Sequence, residues 1–176
     1  MKALALLLSF LACAAPAFGA RGDDPRSIAL VDQSGQTLNL DGLRGRQVVI
    51  TFVATRCSDA CPVSTALFSR LNARLRSAKQ PATLLEITLD PDYDSPFVME
   101  RYAQSYGATG SNWRFVSGDP HNIRVVMRSF GVKSEKVRGI PEIHSSFVYV
   151  LDGQGKLKRT LLLSTNAVDD ILRALK

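Results

Sequence analysis

The segment QVVITFVATRCSDACP, Gln47–Pro62, decides the fold. Its first nine residues, Gln47–Thr55, are mostly β-branched and apolar, which is typical of a strand buried on both faces. Cys57 and Cys61 lie in the loop that follows. Pro62 suits the first turn of a helix. Apolar residues then recur at every fourth position: Val63, Leu67, Leu71 and Leu75. The segment therefore predicts a buried strand, a cysteine loop and a helix in direct succession.

Strands and helices alternate along the rest of the chain. A leading hairpin is predicted within Ser27–Leu40. Further strands are predicted at Ala82–Asp90, Trp113–Val116, Ser145–Leu151 and Lys156–Leu163. Further helices are predicted from Ser95 to about Gly107, from Asp119 to about Gly131, and from Asn166 to Leu175. This order predicts an α/β fold with a central mixed, mostly parallel sheet, helices on both faces and an antiparallel hairpin at one edge. The cysteine loop leaves the carboxyl end of a strand, where such sheets bind ligands.

Length and composition limit the class of protein. The 176 residues are 45% hydrophobic and 22% charged, which is typical of one globular domain. The net charge is +6, but no basic stripe with interleaved aromatic residues accompanies it. We interpret this charge as favouring solubility and expect no nucleic-acid partner. No Ser-His-Asp order, phosphate-binding loop or pair of catalytic carboxylates is recognisable, which argues against hydrolases and nucleotide-binding enzymes.

The amino end has the features of a secretory signal peptide. One lysine supplies a positive charge, Ala3–Ala12 is an apolar run, and Ala17–Ala20 offers small residues for cleavage. We predict a signal peptide at residues 1–20 and a single domain at residues 21–176, located in the periplasm or another extracytoplasmic compartment. Two alternatives stay open: an uncleaved N-terminal membrane anchor, and a lipoprotein processed at Cys13.

Cleavage of the leader would leave Cys57 and Cys61 as the only cysteines. One close pair closes a loop too small to stabilise a fold much, so it suggests chemistry rather than scaffolding. Helical spacing would put the two Cα atoms about 6.2 Å apart, which permits a disulfide or a shared metal ion. Pro62 is expected to push Cys61 out of the helical region. We expect the helix N-terminus at Cys61 and the charge of Arg56 to favour thiolates, and the charge of Asp59 to oppose them.

A copper site needs more than the two thiolates. Two thiolates suit Cu(I), whereas Cu(II) prefers nitrogen or oxygen ligands, so a site that survives both states needs an imidazole. The chain has two histidines, and His121 is interpreted as an exposed residue in the first turn of a helix. His144 follows the predicted loop GIPEI and is the candidate ligand. Zinc, with Asp59 or Glu142 as the fourth ligand, is a weaker alternative.

Three ordered motifs resemble the Sco (SenC/PrrC) family of copper proteins, over about Ile28–Lys158. The first is a strand followed by C-x-x-x-C-P with an acid between the cysteines, and it is matched by Cys57, Asp59, Cys61 and Pro62. The second is D-P-x-x-D-[TS]-P, matched by Asp90–Pro96. The third is a His-Ser pair that opens a late strand and its following turn, matched by His144–Ser145 and Val150–Gly153.

This resemblance implies a thioredoxin-like fold and a role in copper handling. It implies that Cys57, Cys61 and His144 bind copper as Cu(I) or Cu(II). It also implies delivery of copper or reducing equivalents to the dicopper centre of a respiratory oxidase. The partner would be the copper-accepting subunit of that oxidase or another periplasmic copper or thiol protein, with this chain as a monomer. Ser58, where the family often has proline, departs from the pattern.

A thiol-disulfide reductase is the alternative function. Cys57 would attack as the more accessible thiol, and Cys61 would resolve the mixed disulfide. Pro141 would position the substrate, in the manner of the cis-proline loop of thioredoxins. A purely structural dithiol is a third interpretation. The acids of the second motif lack the features of a calcium loop, and we interpret them as turn-forming and helix-capping residues: Asp90, Asp92 and Asp94.

Overall fold

The computed structural model describes residues 24–108, 111–144 and 146–176, and for residues 142–144 it describes the backbone only. The predictions made for the amino end, including the signal peptide and the candidate lipoprotein site Cys13, lie outside these residues. Within the described ranges, no helix is long and apolar enough to span a bilayer.

Nine strands and four α-helices make up the regular structure of the described residues. The strands are β1 (Leu30–Asp32), β2 (Thr37–Leu38), β3 (Val48–Val53), β4 (Thr83–Thr88), β5 (Trp113–Ser117), β6 (Ser134–Val137), β7 (Ile140–His144), β8 (Phe147–Leu151) and β9 (Leu157–Leu162). The helices are α1 (Ala60–Ser77), α2 (Pro96–Ser105), α3 (Pro120–Ser129) and α4 (Ala167–Ala174), with a short 3-10 helix at Asp41–Leu43. Every strand and helix predicted from the sequence is present.

Seven strands form one sheet in the order β2-β1-β5-β4-β3-β8-β9. The three strands β5, β4 and β3 run parallel at its centre, and antiparallel strands extend it on both sides. The predicted α/β class and mixed sheet are confirmed, with a hairpin at each edge. Within the seven-stranded sheet, antiparallel pairings outnumber parallel ones by four to two, so the sheet is less parallel than predicted. The short connection between β8 and β9 explains part of this difference, because only antiparallel strands can be joined by a tight turn.

Apolar side chains cover both faces of the sheet. Residues alternate along β3, so that Ile50 packs into a cluster with Ile123 of α3, whereas Val49 packs with Phe68 of α1. The second cluster also holds Met99 of α2 and residues of α4. Three helices therefore cover one face and α3 covers the other. Because β3 and β4 pair in parallel, their carboxyl ends lie side by side at one end of the strands.

The predicted loop at GIPEI is a strand. It forms β7, which pairs with β6 in a separate two-stranded antiparallel sheet. Arg138 and Gly139 connect the two strands with φ angles of 50° and 80°, as a two-residue hairpin turn requires. The residues of β6 are polar or exposed, so no hydrophobic alternation marks this hairpin in the sequence.

Candidate metal centre

The two cysteines lie where β3 leads into α1. β3 ends at Val53 and α1 begins at Ala60, so Cys57 is in the connecting loop and Cys61 is the second residue of the helix. The expectation that Pro62 would keep Cys61 out of the helix is therefore wrong. The first amides of a helix have no carbonyl partner within it, so a proline in the first turn removes no helical hydrogen bond.

Both sulfurs are buried and adjacent. The exposed fractions are 5% for Cys57 and 0% for Cys61, and no disulfide joins the two residues. The amide of Ala54 donates a hydrogen bond to Cys61 Sγ at 3.3 Å, and the amide of Cys57 donates to the Ala54 carbonyl at 3.1 Å. The Cys61 thiol also forms a hydrogen bond with the Cys57 sulfur. The loop thus holds two soft donor atoms in contact at the end of a central strand.

Cys57 is the cysteine that the helix N-terminus favours as a thiolate. Burial raises the pKa of its thiol, but hydrogen bonds from the backbone amides of Cys61, Asp59 and Ala60 outweigh burial, so the pKa falls below its ordinary value. The Cys61 side chain contributes in the same direction. These amides belong to the first turn of α1 and its cap, where no helical carbonyl competes for them.

Cys61 behaves in the opposite way. Burial raises the pKa of its thiol well above the ordinary value, and the hydrogen bond from the Ala54 amide does not offset this effect. The prediction that the helix N-terminus favours a Cys61 thiolate is therefore wrong, because the free amides serve Cys57. Arg56 forms an ion pair with Asp90. The pKa of Cys57 is therefore lowered by backbone amides and not by this guanidinium.

The other predicted ligands are only partly described. His144 is the last residue of β7, and its backbone pairs with Ser134 of β6. The side chains of His144 and Glu142 lie outside the described residues, so their ligand roles stay predictions. Asp59 is exposed, and His121 is exposed in the first turn of α3, as predicted. Among the side chains described, no three His, Cys, Asp or Glu residues converge on one point.

Pro141 does not take the form expected of it. It is a buried residue of β7. The peptide bonds of the described residues are all trans, so this strand is not the cis-proline loop from which its role in a reductase was inferred. The role of Pro141 in a reductase stays a prediction.

The loop after β4 binds the cysteine loop through two buried carboxylates. Asp94 accepts hydrogen bonds from the hydroxyl and the amide of Thr55 at 2.5 and 3.2 Å, and from the Thr88 hydroxyl at 2.6 Å. Burial raises the pKa of Asp94 above its ordinary value, with the three hydrogen bonds opposing that effect. Asp90 accepts from Arg56 at 2.5 Å. The second motif thus binds Thr55 and Arg56, the two residues just before Cys57.

These acids form the predicted turn, but they do not cap α2. The backbone does turn here, since the amides of Tyr93 and Asp94 donate to the Asp90 carbonyl. The cap of α2, however, is Ser95, whose hydroxyl accepts from the Val98 amide at 3.4 Å. The carboxylates of Asp90 and Asp94 are directed at the cysteine loop instead. The spacing D-P-x-x-D beside a parallel strand that carries a cysteine loop could have indicated this contact.

A third buried acid, Glu86, lies within the sheet. It projects from β4 and accepts hydrogen bonds from the hydroxyl of Thr65 at 2.7 Å and from the indole of Trp113 at 3.0 Å. Burial raises its pKa to about 8, and the two hydrogen bonds oppose that effect only in part. Its charge also raises the pKa of Cys61. Sequence reasoning missed Glu86, because one acid in an apolar strand is no motif.

A shallow cleft opens beside the cysteine loop. It has a volume of about 320 Å³ and includes Arg56, Tyr93 and Arg101 in its lining. The Arg56 guanidinium stacks on the Tyr93 ring, with 4.2 Å between the guanidinium carbon and the ring centroid. The surface next to the dithiol is therefore both basic and aromatic.

Sequence comparisons place the chain among known proteins. The SCO1/SenC family profile matches residues 25–176. An SCO1 protein homolog of Bacillus subtilis is 27% identical over 149 residues, which are 82% of this chain and 77% of the relative. An SCO2-like protein of Rickettsia prowazekii is 31% identical over 146 residues, with coverage of 78% and 69%.

Solved structures agree with this placement. A SCO1/SenC family lipoprotein from Bacillus anthracis matches with a TM-score of 0.77 at 25% identity, covering 84% of this chain and 89% of that one. Bradyrhizobium japonicum ScoI, solved with copper bound, matches with a TM-score of 0.73 at 27% identity, with coverage of 84% and 96%. The thioredoxin-like fold implied by the sequence motifs is therefore confirmed, and the chain belongs to the SCO1/SenC family.

Proposed function

We propose that this protein is a copper metallochaperone that binds one copper ion through Cys57, Cys61 and His144. The observation that carries the proposal is the pair of adjacent, buried sulfurs between β3 and α1. The copper-bound ScoI of Bradyrhizobium japonicum, which has the same fold at 27% identity, supports copper as the metal.

The donor set fits copper in both of its common oxidation states. Two thiolates are soft ligands and bind Cu(I) well, whereas Cu(II) needs a nitrogen ligand in addition. The amides around Cys57 stabilise its thiolate before any metal arrives, and the metal ion itself would displace the proton from Cys61. The imidazole of His144, at the end of β7, completes the ligand set that we propose.

The copper-accepting subunit of a respiratory oxidase is the partner that we propose, with the periplasm as the place of transfer. The basic, aromatic surface beside the dithiol supports a protein partner that approaches at this edge of the sheet. An anchored or lipoprotein form of the chain would serve the same role at the membrane surface.

Copper titration of the reduced protein under anaerobic conditions tests this function. We expect saturation at about one equivalent, and a thiolate-to-Cu(II) charge-transfer band when Cu(II) is used. Cys57→Ala, Cys61→Ala and His144→Ala should each weaken binding, whereas His121→Ala, the matched histidine control, should not. Unchanged stoichiometric binding by the three ligand variants would contradict the proposal.

A thiol-disulfide reductase is the second candidate, and the opposite pKa shifts of the two cysteines favour it. The Cys57 thiolate would attack a substrate disulfide and release one thiolate, forming a mixed disulfide. Cys61 would lose its proton and attack the Cys57 sulfur, releasing the second thiol. The protein would end as a Cys57–Cys61 disulfide, and the substrate would gain two electrons.

His144 separates the two candidates. Reduction of a disulfide substrate by the metal-free, reduced protein is measured before and after His144→Ala. A reductase keeps its rate in this variant, because neither transfer step uses the imidazole. A chaperone binds copper more weakly in the same variant, above all Cu(II), and reduces the substrate slowly in both forms.

A further inference from the structure

Asp90 joins the two segments that carry the proposed copper ligands. Its carboxylate is only 1% exposed. One oxygen, Oδ2, accepts from the Arg56 guanidinium at 2.5 Å, and the other, Oδ1, accepts from the Lys136 ammonium at 3.1 Å. Arg56 directly precedes Cys57, and Lys136 lies in β6. One buried carboxylate therefore binds the cysteine loop and the β6–β7 hairpin at the same time.

Arg56 adds a second connection between the same segments. The nitrogen that pairs with Asp90 also donates to the carbonyl of Gly139, in the turn of the β6–β7 hairpin, at 3.1 Å. Lys136 in turn lies 3.6 Å from the carboxylate of Asp92. The hairpin is thus fixed to the cysteine loop near its turn, and along β6 to the loop after β4.

The contacts of Asp90 and Arg56 orient the hairpin relative to the cysteine loop more than they stabilise the fold. A buried ion pair often contributes little net stability, since the two charges lose their hydration on burial. Charge-assisted hydrogen bonds are nevertheless short and directional. They fix the hairpin relative to the cysteine loop where few apolar contacts could do so, as β6 is largely exposed.

We propose that Asp90 is a positioning residue for copper: through Arg56 and Lys136 it holds the β6–β7 hairpin, and with it His144, in register with the Cys57 loop. This inference rests on the proposed ligand set. Residues that orient metal ligands typically change metal affinity by about 10- to 100-fold when they are replaced. The effect should fall on Cu(II), because Cu(I) can be held by the two thiolates alone.

Cu(II) affinity, measured by competition with a chelator, tests the role of Asp90. Asp90→Asn keeps the shape of the side chain and should weaken Cu(II) binding by about 10-fold or more, with Cu(I) binding reduced less than about threefold. Lys136→Met removes one of the two donors at a half-exposed site and guards against misfolding of the first variant. It should weaken Cu(II) binding in the same direction and shift the thiolate-to-Cu(II) band.

Arg114→Met is the matched control. Arg114 also pairs with a buried aspartate, Asp32, at 3.5 Å, but it lies on β5, two strands away from β3 and its cysteine loop. This variant should lose an ion pair to a buried aspartate and leave the affinity for Cu(II) unchanged. An equal loss of affinity in Arg114→Met and Lys136→Met would overturn the positioning role, because a general loss of stability would then explain both.

A double-mutant cycle with His144→Ala completes the test. If Asp90 acts by placing His144, then adding Asp90→Asn to His144→Ala should weaken Cu(II) binding by less than about twofold further. Additive losses would overturn the inference. A His144→Ala variant that binds Cu(II) normally contradicts the ligand set itself, whereas a weakened His144→Ala with an unaffected Asp90→Asn overturns only the role of Asp90.

Discussion

The seven-stranded sheet and the β6–β7 hairpin are held in place by different forces. The central strands β3 and β4 are buried along their whole length, and apolar clusters cover both of their faces. β6 is largely exposed, and polar contacts from Asp90 and Arg56 attach the hairpin to the rest of the domain. The two proposed thiolate ligands adjoin the seven-stranded sheet, and the proposed imidazole ligand lies on the β6–β7 hairpin.

This difference bears directly on metal transfer. Regions with few buried apolar contacts open at low free-energy cost, whereas core strands open only with global unfolding. A ligand on such a hairpin can leave the metal while the cysteine pair stays in place. We therefore expect the sheet and the hairpin to differ in stability, and four variants measure this difference.

Phe68→Ala should have the largest effect on global stability. Phe68 is 1% exposed against the sheet, and removing a buried aromatic ring lowers the free energy of unfolding by about 3–5 kcal/mol. Urea unfolding measures the change. Phe97, which is 66% exposed, provides the matched control, since Phe97→Ala should change stability by less than about 0.5 kcal/mol. Similar losses in both variants would contradict the assignment of the core.

Glu86→Gln should change how stability depends on pH. Burial raises the pKa of Glu86 from 4.5 to about 8, so the folded state binds its proton more tightly than the unfolded state. Its contribution is fully present below the unfolded pKa and is lost as pH rises toward the folded value. The variant should therefore gain about 2 kcal/mol or more over the native protein between about pH 5 and pH 8. Parallel stability curves for the two proteins would contradict a raised pKa.

Gly139→Ala should weaken the hairpin without affecting the sheet. Gly139 has a φ of 80° with nothing within 4 Å of an added Cβ, so the penalty is the left-handed conformation, about 1 kcal/mol. Amide exchange in β6 and β7 should accelerate about fivefold. Gly153→Ala, at a turn without positive φ, is the control and should leave these amides unchanged. Accelerated exchange in β3 would mean that hairpin and sheet unfold as one unit.

Lys136→Met should have the smallest effect on stability. Lys136 is 45% exposed, so its ion pair with Asp90 contributes at most about 1 kcal/mol. Exchange should accelerate in β6 and β7 alone, by no more than about fivefold. Global unfolding should be the same as in the native protein within about 0.5 kcal/mol. A larger global loss would show that the hairpin supports the core.

The sequence was sufficient to predict the sheet and the helices. Burial on both faces marks β3 and β4 as apolar runs, and α1 shows its buried stripe at Leu67 and Leu71 through the helical period. The hairpin escaped prediction, because polar contacts formed by distant residues fix β6, and such contacts leave no periodic pattern. The local preference of the residue before Pro62 predicts Cys61 outside α1, whereas the helix begins at Ala60, because a proline in the first turn removes no helical hydrogen bond.

The site was predicted less completely than the fold. The sequence shows the cysteine pair and the motif that contains Asp90 and Asp94. The contact of both acids with the cysteine loop, however, depends on the pairing of β3 with β4 in the sheet. The opposite pKa shifts of Cys57 and Cys61 depend on the direction of single amides. Spacing in the sequence cannot supply either of these facts.

X-ray absorption at the copper edge, recorded on the copper-loaded protein and on His144→Ala, tests the central claim most directly. We predict two sulfur ligands together with an imidazole nitrogen in the native protein. In His144→Ala the two sulfurs should remain and the imidazole signal should disappear. An imidazole signal that persists in the variant, or a native spectrum without two sulfur ligands, would contradict the proposed copper site.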